Sequence, residues 1–435
     1  MTSLRIDSRL RADFSWVLSG NVIYSACQWG IVLLLAKLGD AGQVGLYALG
    51  MAVSAPIILF ANLQVRTLLA SDVKEEFRFG QYLAFRFVSL FLALLAIAAV
   101  AIWTTPDWLR RTVIILVGFA QILEYVSETY YGLMQKYDRM DRMSRSLMVK
   151  GPLALTALCV TMFYTHNIVW AIVALILGRL LVVLLWDSRL TYIKNFSAPL
   201  EWNSPAMMRL LRLSLPLGII SMLASLSANI PRYFIEGRLG TTDLGIYSAI
   251  ASLLTAGTLV VSAFGQSIMV PAARASANGD RIKYRSLVMQ TVVLGLVLGL
   301  SAVLCAALFG QWLLSHLFRP EYAEHPDIFV WLMAAGTILF MTSGLGFVMT
   351  AARALKPQIP LLLANCLTAA LASAWLVPRH GLRGAAEAIL ISTIVQLVGS
   401  IIVLRGIDRR MRMASSRVEL QSVGAQTHIG GLESA

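Results

Sequence analysis

Arg66, Arg86, Glu124, Glu128, Lys150, Arg179 and Arg232 stand inside, or at the edge of, long apolar runs of this chain. A charge held among Leu, Val and Ile is costly unless it faces a partner or a polar cavity. Arg179 is the plainest case. It lies about twelve residues into an apolar run, near its middle at ~1.5 Å per residue, where reaching either end is hard. It is either a ligand for a phosphate or anionic sugar, or one half of an ion pair with Glu124 or Glu128. Those two carboxylates are spaced i, i+4 and share one helix face. They either carry protons, bind a cation or orient the arginines, or simply pair with Arg86 or Lys150.

Arg66 and Arg86 lie within one or two turns of a helix end. There each either snorkels to lipid phosphates or makes the inner end of the first half a cationic one. Arg232 follows Pro231, which is expected to kink or interrupt its helix by removing an N–H. A gate or site is one reading of that arginine and snorkelling the other. The remaining residues offer no catalytic constellation. Cys27, Cys159, Cys305 and Cys366 each sit in an apolar run without metal-ligand spacing and are read as buried hydrophobes. His166, His316, His325 and His380 fall at helix ends or loops. No metal, cofactor or catalytic residue is expected. Gln28, Asn62, Gln64, Gln121, Asn229, Gln266, Asn365 and Gln396 are read as interhelical hydrogen-bonding groups rather than ligands.

The elements that position these groups follow from composition. Of 435 residues 58% are hydrophobic and 14% charged, with mean hydropathy +0.72. Soluble chains carry about 25% charged residues, so lipid is the solvent for most of this one. Twelve windows are apolar and long enough to span: 15–37, 44–66, 81–103, 110–132, 147–165, 168–187, 213–235, 245–270, 286–309, 327–351, 359–377 and 383–405. The polar N-terminus and the long first window speak against a cleavable signal peptide. The net charge of +13 reports topology rather than nucleic-acid binding, for which no basic aromatic face is present. Of the 36 Lys and Arg, 25 fall on the side shared by both termini and 7 on the other, with four inside windows. Basic residues stay in cytoplasmic loops, so both termini are expected in the cytoplasm of a multi-pass protein of the inner membrane.

The chain also repeats. Leu38-Gly39 and Gly45-Leu46-Tyr47 return as Leu239-Gly240 and Gly245-Ile246-Tyr247, each ahead of a long apolar helix. Six windows separate the copies, so both halves enter the membrane in the same direction, as in a parallel repeat. At the inner end of the repeated helix the first copy carries Arg66 and the second Gln266. The expected organisation is an N-terminal segment 1–14, a six-helix bundle 15–187, a connector 188–212 with room for a short interfacial helix, a second six-helix bundle 213–405, and a disordered tail 406–435. Residues 67–80 alternate apolar and charged types and are expected to lie along the inner surface.

Several stretches carry a family likeness: the LG turn with Gly45-Leu46-Tyr47, FANLQVRTLLASD (Phe60–Asp72), FGQYLAFR (Phe79–Arg86), YGLMQKYDRMDRMSRSLMVKG (Tyr131–Gly151) and NIPRYFIEGRLGTTDLGIY (Asn229–Tyr247). With them the chain resembles the polysaccharide transporters of the MOP superfamily, the Wzx-type flippases of O-antigen, capsule and exopolysaccharide precursors. The resemblance implies an all-α, MATE-like V of two six-helix bundles around a cavity that opens alternately to each side. It implies a polyprenyl-diphosphate-linked oligosaccharide as substrate, headgroup in the cavity and tail among membrane lipids. Arg179, Arg86, Arg66, Arg232 and Asn62 are the candidate substrate-binding residues, and Glu124 and Glu128 those for ion coupling or ion pairing. Energy from a proton or a sodium gradient fits equally, and polysaccharide assembly proteins are expected partners. On this reading Arg179→Ala abolishes transport while the protein still inserts. The rival readings are a multidrug cation antiporter of the same superfamily, kept alive by Glu124 and Glu128, and a membrane glycan polymerase or ligase, for which the outer loops are short.

Overall fold

The computed structural model describes residues 2–72, 75–188 and 200–430, and all regular structure among them is helical. Backbone polar groups in lipid must be satisfied within the chain, which leaves the helix as the economical answer to such an apolar sequence. The helices are α1 (Thr2–Leu38), α2 (Ala41–Asn62), α3 (Val65–Ser71), α4 (Phe79–Thr104), α5 (Trp108–Lys136), α6 (Met140–Thr165), α7 (Ile168–Val182), α8 (Ser204–Arg238), α9 (Thr241–Ser252), α10 (Leu254–Ala277), α11 (Arg281–Leu317), the short α12 (Pro320–Ala323), α13 (Pro326–Ala351) and α14 (Leu355–Gly430). Short polar side chains start several of them. Asp40 accepts from Gln43 N at 2.7 Å, Asp107 from Leu109 N at 3.0 Å, Asn167 from Val169 N at 2.9 Å and Asn203 from Ala206 N at 3.1 Å. Each satisfies an amide that its helix cannot.

Among the described residues, eleven helical stretches are long and apolar enough to cross a membrane. The last, Leu355–Met413, is 59 residues long. It turns at Gly381, whose φ of 59° and ψ of −136° interrupt the helix, and so holds both of the final two windows. The end of the helices that carries the arginine-rich loops is called the inner end below. The expected interfacial helix of the connector falls on residues outside the described ones, apart from 188 and 200–212. The helix of α14 runs on through Gly430 in the segment expected to be disordered. Pro231 does not interrupt α8, which continues through it to Arg238.

Two compact units are present. One gathers the chain up to Ser252 with Gln311–His325 and Val377–Ala385; the other gathers Leu253–Gly310, Pro326–Leu376 and the chain from Ala386. In the first unit α6 packs on α1 and α7, and α2 packs on α5, α8 and α9. In the second, α10 packs on α13, with Ile268, Ala272, Tyr284, Leu345 and Val348 in its core. Large apolar side chains such as Leu92, Leu304, Leu308 and Leu371 stay exposed, as suits surfaces that face lipid tails.

Gly381 has open space where a side chain would go, so only its backbone demands glycine. Its φ/ψ lie in a region that L residues rarely enter. Gly381→Ala is expected to destabilise the fold by about 1–3 kcal/mol, read as a lowered thermal unfolding midpoint of the detergent-solubilised protein.

Candidate functional site

The site is built from the first unit, and it starts with a helix that stops early. Leu63 (φ 49°) and Gln64 (φ 51°) both adopt the left-handed conformation, ending α2 at Asn62 and letting α3 restart at Val65. Two consecutive left-handed non-glycine residues cost roughly 1–2 kcal/mol each, so something must hold them. Arg86 does so from α4. Its side chain is fully buried. Its Nη1 donates to the Asn62 carbonyl at 3.0 Å and its Nε to Thr129 Oγ1 at 2.9 Å. A guanidinium here sits at the negative end of the α2 dipole and closes a carbonyl the helix leaves open. Arg86 therefore does not snorkel.

The break delivers Arg66 to a different environment. Its Nη1 lies 4.0 Å from Glu128 Oε1, the side chains being 32% and 27% exposed. Its Nη2 lies 3.3 Å from Met143 Sδ. Gln64 Nε2 donates to Ser221 Oγ on α8 at 3.3 Å. Asn62, Gln64, Arg66, Arg86 and Glu128 thus meet near the inner end, around one interrupted helix. A discontinuous membrane helix is a recurring way to place polar groups at a binding site.

Deeper in the same bundle lies a continuous polar chain. Arg179 on α7 donates from Nη1 to the Ala120 carbonyl at 2.7 Å and from Nη2 to Gln28 Oε1 at 3.2 Å. Its Nε lies 4.0 Å from Glu124 Oε2. The other oxygen of Glu124 accepts from Lys150 Nζ at 3.0 Å. Lys150 is fully buried and stands 4.8 Å from the Tyr131 ring and 5.7 Å from that of Tyr24, within cation–π reach. Tyr131 and Ser146 share a hydrogen bond of 2.9 Å, and Ser146 also donates to Asp187. Ser127 donates to the same carboxylate at 2.6 Å. In this structure Arg179 is 4% exposed, and its partner is Glu124.

Arg232 stands apart from both groups. On α8, half-buried, it donates from Nη1 to Asn229 Oδ1 at 2.6 Å. The amides behave as expected of interhelical groups: Gln28 meets Arg179, Gln121 donates to Ser54 at 2.5 Å, and Asn365 to Gln396 at 3.0 Å. Asp187 escaped the reading of single residues because it closes the sixth window. Its signal was an acid directly after an apolar run, on the last turn of a helix that finishes as a π-turn, Val183–Asp187. No group of His, Cys, Asp and Glu among the described residues has the geometry to hold a metal ion.

Comparison with known proteins gives three findings. A family model described as "Polysaccharide biosynthesis protein" matches residues 10–276. The capsular polysaccharide biosynthesis protein CapF of Staphylococcus aureus is 26% identical over 392 residues, covering 89% of this chain and 97% of that one. Among solved structures, an inward-facing MATE multidrug resistance transporter of the MOP superfamily superposes with TM-score 0.70 at 11% identity, covering 92% of this chain and 99% of the other. The lipid II flippase MurJ, in an inward closed conformation, gives 0.69 at 10% identity, covering 93% and 92%.

Lys150 and Glu124 compensate one another in a medium that tolerates neither alone. Lys150→Met should destabilise the protein by about 3–5 kcal/mol, since it leaves Glu124 without its nearest cation. Lys150→Met combined with Glu124→Gln should regain most of that loss. Thermal unfolding of the three solubilised proteins, with the parent, checks both.

Proposed function

Given that the chain belongs to the polysaccharide biosynthesis protein family, we propose that it is a flippase carrying an undecaprenyl-diphosphate-linked oligosaccharide from the inner to the outer leaflet of the cytoplasmic membrane, for a surface polysaccharide. Both termini then lie in the cytoplasm, and the halves 15–187 and 213–405 alternate access to the substrate. The polymerase or ligase reading is set aside in favour of transport, because the fold is one seen in MATE transporters and in a lipid II flippase. A fold shared with both MATE and MurJ structures does not separate drug export from glycan export. The chain's own residues favour the anionic cargo.

The observation that carries the reading is the cationic helix break. Arg66, Arg86, Arg179 and Lys150 set four positive charges against Glu124, Glu128 and Asp187 in the first bundle. Arg66 is the arginine of this group that is a third exposed, and its ion pair is loose at 4.0 Å. A diphosphate offers a guanidinium shorter, two-pronged hydrogen bonds than that carboxylate does. In the proposed cycle the diphosphate displaces Glu128 from Arg66, with Asn62 and Gln64 supplying further polar contacts to it, while Arg232, farther along α8, meets the glycan. Hydrocarbon alone could not accept such a group. Arg86 and Arg179, both buried and engaged, serve this site by holding the broken helix and the bundle around it. Glu128, freed from Arg66, is the carboxylate best placed to take up a coupling cation.

Losing a charged hydrogen-bond partner of this kind costs about 1.5–3 kcal/mol. Arg66→Ala is therefore expected to cut surface polysaccharide roughly ten- to a hundredfold while the diphosphate-linked oligosaccharide accumulates, and Arg66→Lys to fall between. Mass spectrometry of polyprenyl-linked glycans in cells carrying each variant reads both. An unchanged lipid pool with new sensitivity to cationic drugs would replace this function by the antiporter.

A further inference from the structure

The repeated motif Gly45-Leu46-Tyr47 and Gly245-Ile246-Tyr247 has no role in the substrate site, yet its two copies meet. A side-chain carbon added to Gly45 would fall on the Thr241 carbonyl oxygen, far inside van der Waals contact, and one added to Gly245 would fall on the Ala41 carbonyl oxygen. The contact is reciprocal. Each glycine covers the carbonyl of the residue four before its counterpart, as in an isologous interface between identical subunits. Ala41 and Gly45 on α2, and Thr241 and Gly245 on α9, are each a pair of small residues at i, i+4. Such pairs let two membrane helices touch backbone to backbone.

Around this seam α8 is tied to the same bundle. Arg110 Nη1 on α5 lies 2.5 Å from Glu236 Oε1, and Tyr233 donates to the Ala52 carbonyl at 2.5 Å. The seam is why the first compact unit extends to Ser252 rather than ending with α7. All these contacts lie toward the end opposite the arginine-rich loops. Backbone contact through glycine has little side-chain entropy to lose and no apolar knobs to extract, so it can part and re-form.

We infer that the two copies of the Gly-Leu/Ile-Tyr motif form a self-complementary seal between the outer ends of α2 and α9, latched by Arg110–Glu236, and that this seal must part in each transport cycle. The transport clause rests on the flippase reading; the seal itself does not. Gly42 and Thr242 allow a test, because a side-chain carbon on Gly42 would stand 3.7 Å from Thr242 Oγ1, within the reach of a disulfide. In a variant with the four native cysteines replaced, Gly42→Cys with Thr242→Cys should cross-link on oxidation, stop polysaccharide export, and recover it on reduction. Failure of the folded pair to cross-link, or undiminished export by the cross-linked protein, overturns the seal.

A second measurement needs no substrate. Ser248, buried one turn beyond Gly245, is replaced by cysteine and labelled in intact cells with a membrane-impermeant maleimide. Gly45→Leu should raise the labelling rate at least tenfold by wedging the seam open, and an unchanged rate overturns the proposal. Glu236→Gln gives the same readout should Gly45→Leu fail to reach the membrane. If labelling and cross-linking behave as expected in a protein that exports no polysaccharide, the flippase reading fails and the seal stands.

Discussion

A bilayer interior offers a charge no water, so each ion buried in it must find its partner in the protein. That requirement shapes the first half of this chain. Gln28 on α1, Glu124 on α5, Lys150 on α6 and Arg179 on α7 are joined in one run of hydrogen bonds and ion pairs, and Asp187 ends the run through Ser146 and Ser127. Four helices that could slide past one another as greasy rods are thereby fixed in register. The second unit is held differently. Its membrane interior carries the neutral Asn365–Gln396 bond, and the pairs of Arg281 and Arg285 with Asp408 lie at the inner end. The halves of a duplicated chain have diverged into a charged bundle and a largely apolar one.

The same requirement explains why one arginine is withdrawn and another presented. Breaking α2 at Leu63 and Gln64 opens carbonyls in a place where water is scarce. Arg86 meets the Asn62 carbonyl and is consumed by doing so. The break then turns Arg66 away from the α2 axis and leaves it a single loose carboxylate partner. In the proposed flippase, structural cations make the bend and a lightly held cation uses it. The inner end of the second repeat has no equivalent: α10 continues unbroken past Gln266 to Ala277.

The seam between α2 and α9 adds a consequence of duplication. When a half is copied, a small-residue face is copied too, and two such faces can approach backbone to backbone, as Gly45 and Gly245 do here. Membrane helices gain little from apolar burial against each other, since lipid is as apolar as leucine, and close backbone approach at glycine becomes a main source of contact energy. A contact so made is strong when aligned and intolerant of any added atom, which suits a surface that alternates between joined and parted.

The sequence by itself determined a great deal here. Composition set lipid as the solvent, the apolar windows located the long helices, several of which run well past them as Ser204–Arg238 does past 213–235, and the motifs between Leu38 and Tyr247 carried the family likeness. These are local properties: a run of twenty apolar residues has one stable form in lipid, whatever surrounds it. It also marked Arg66, Arg86, Glu124, Glu128 and Arg179 as the residues to watch, because a charge in such a run is conspicuous. What each of them does was decided only by the tertiary structure. Whether Arg86 caps a helix or binds a ligand depends on where α2 breaks, and the break rests on a residue 24 positions away. The interruption expected at Pro231 occurs instead at Leu63 and Gln64, residues without a turn signature that are held left-handed by their surroundings. Asp187 and Lys150 became part of one network through α5, α6 and α7 lying side by side. The repeat was visible as two strings of letters, but that they touch is a property of folded backbones, and no spacing along the chain carries it.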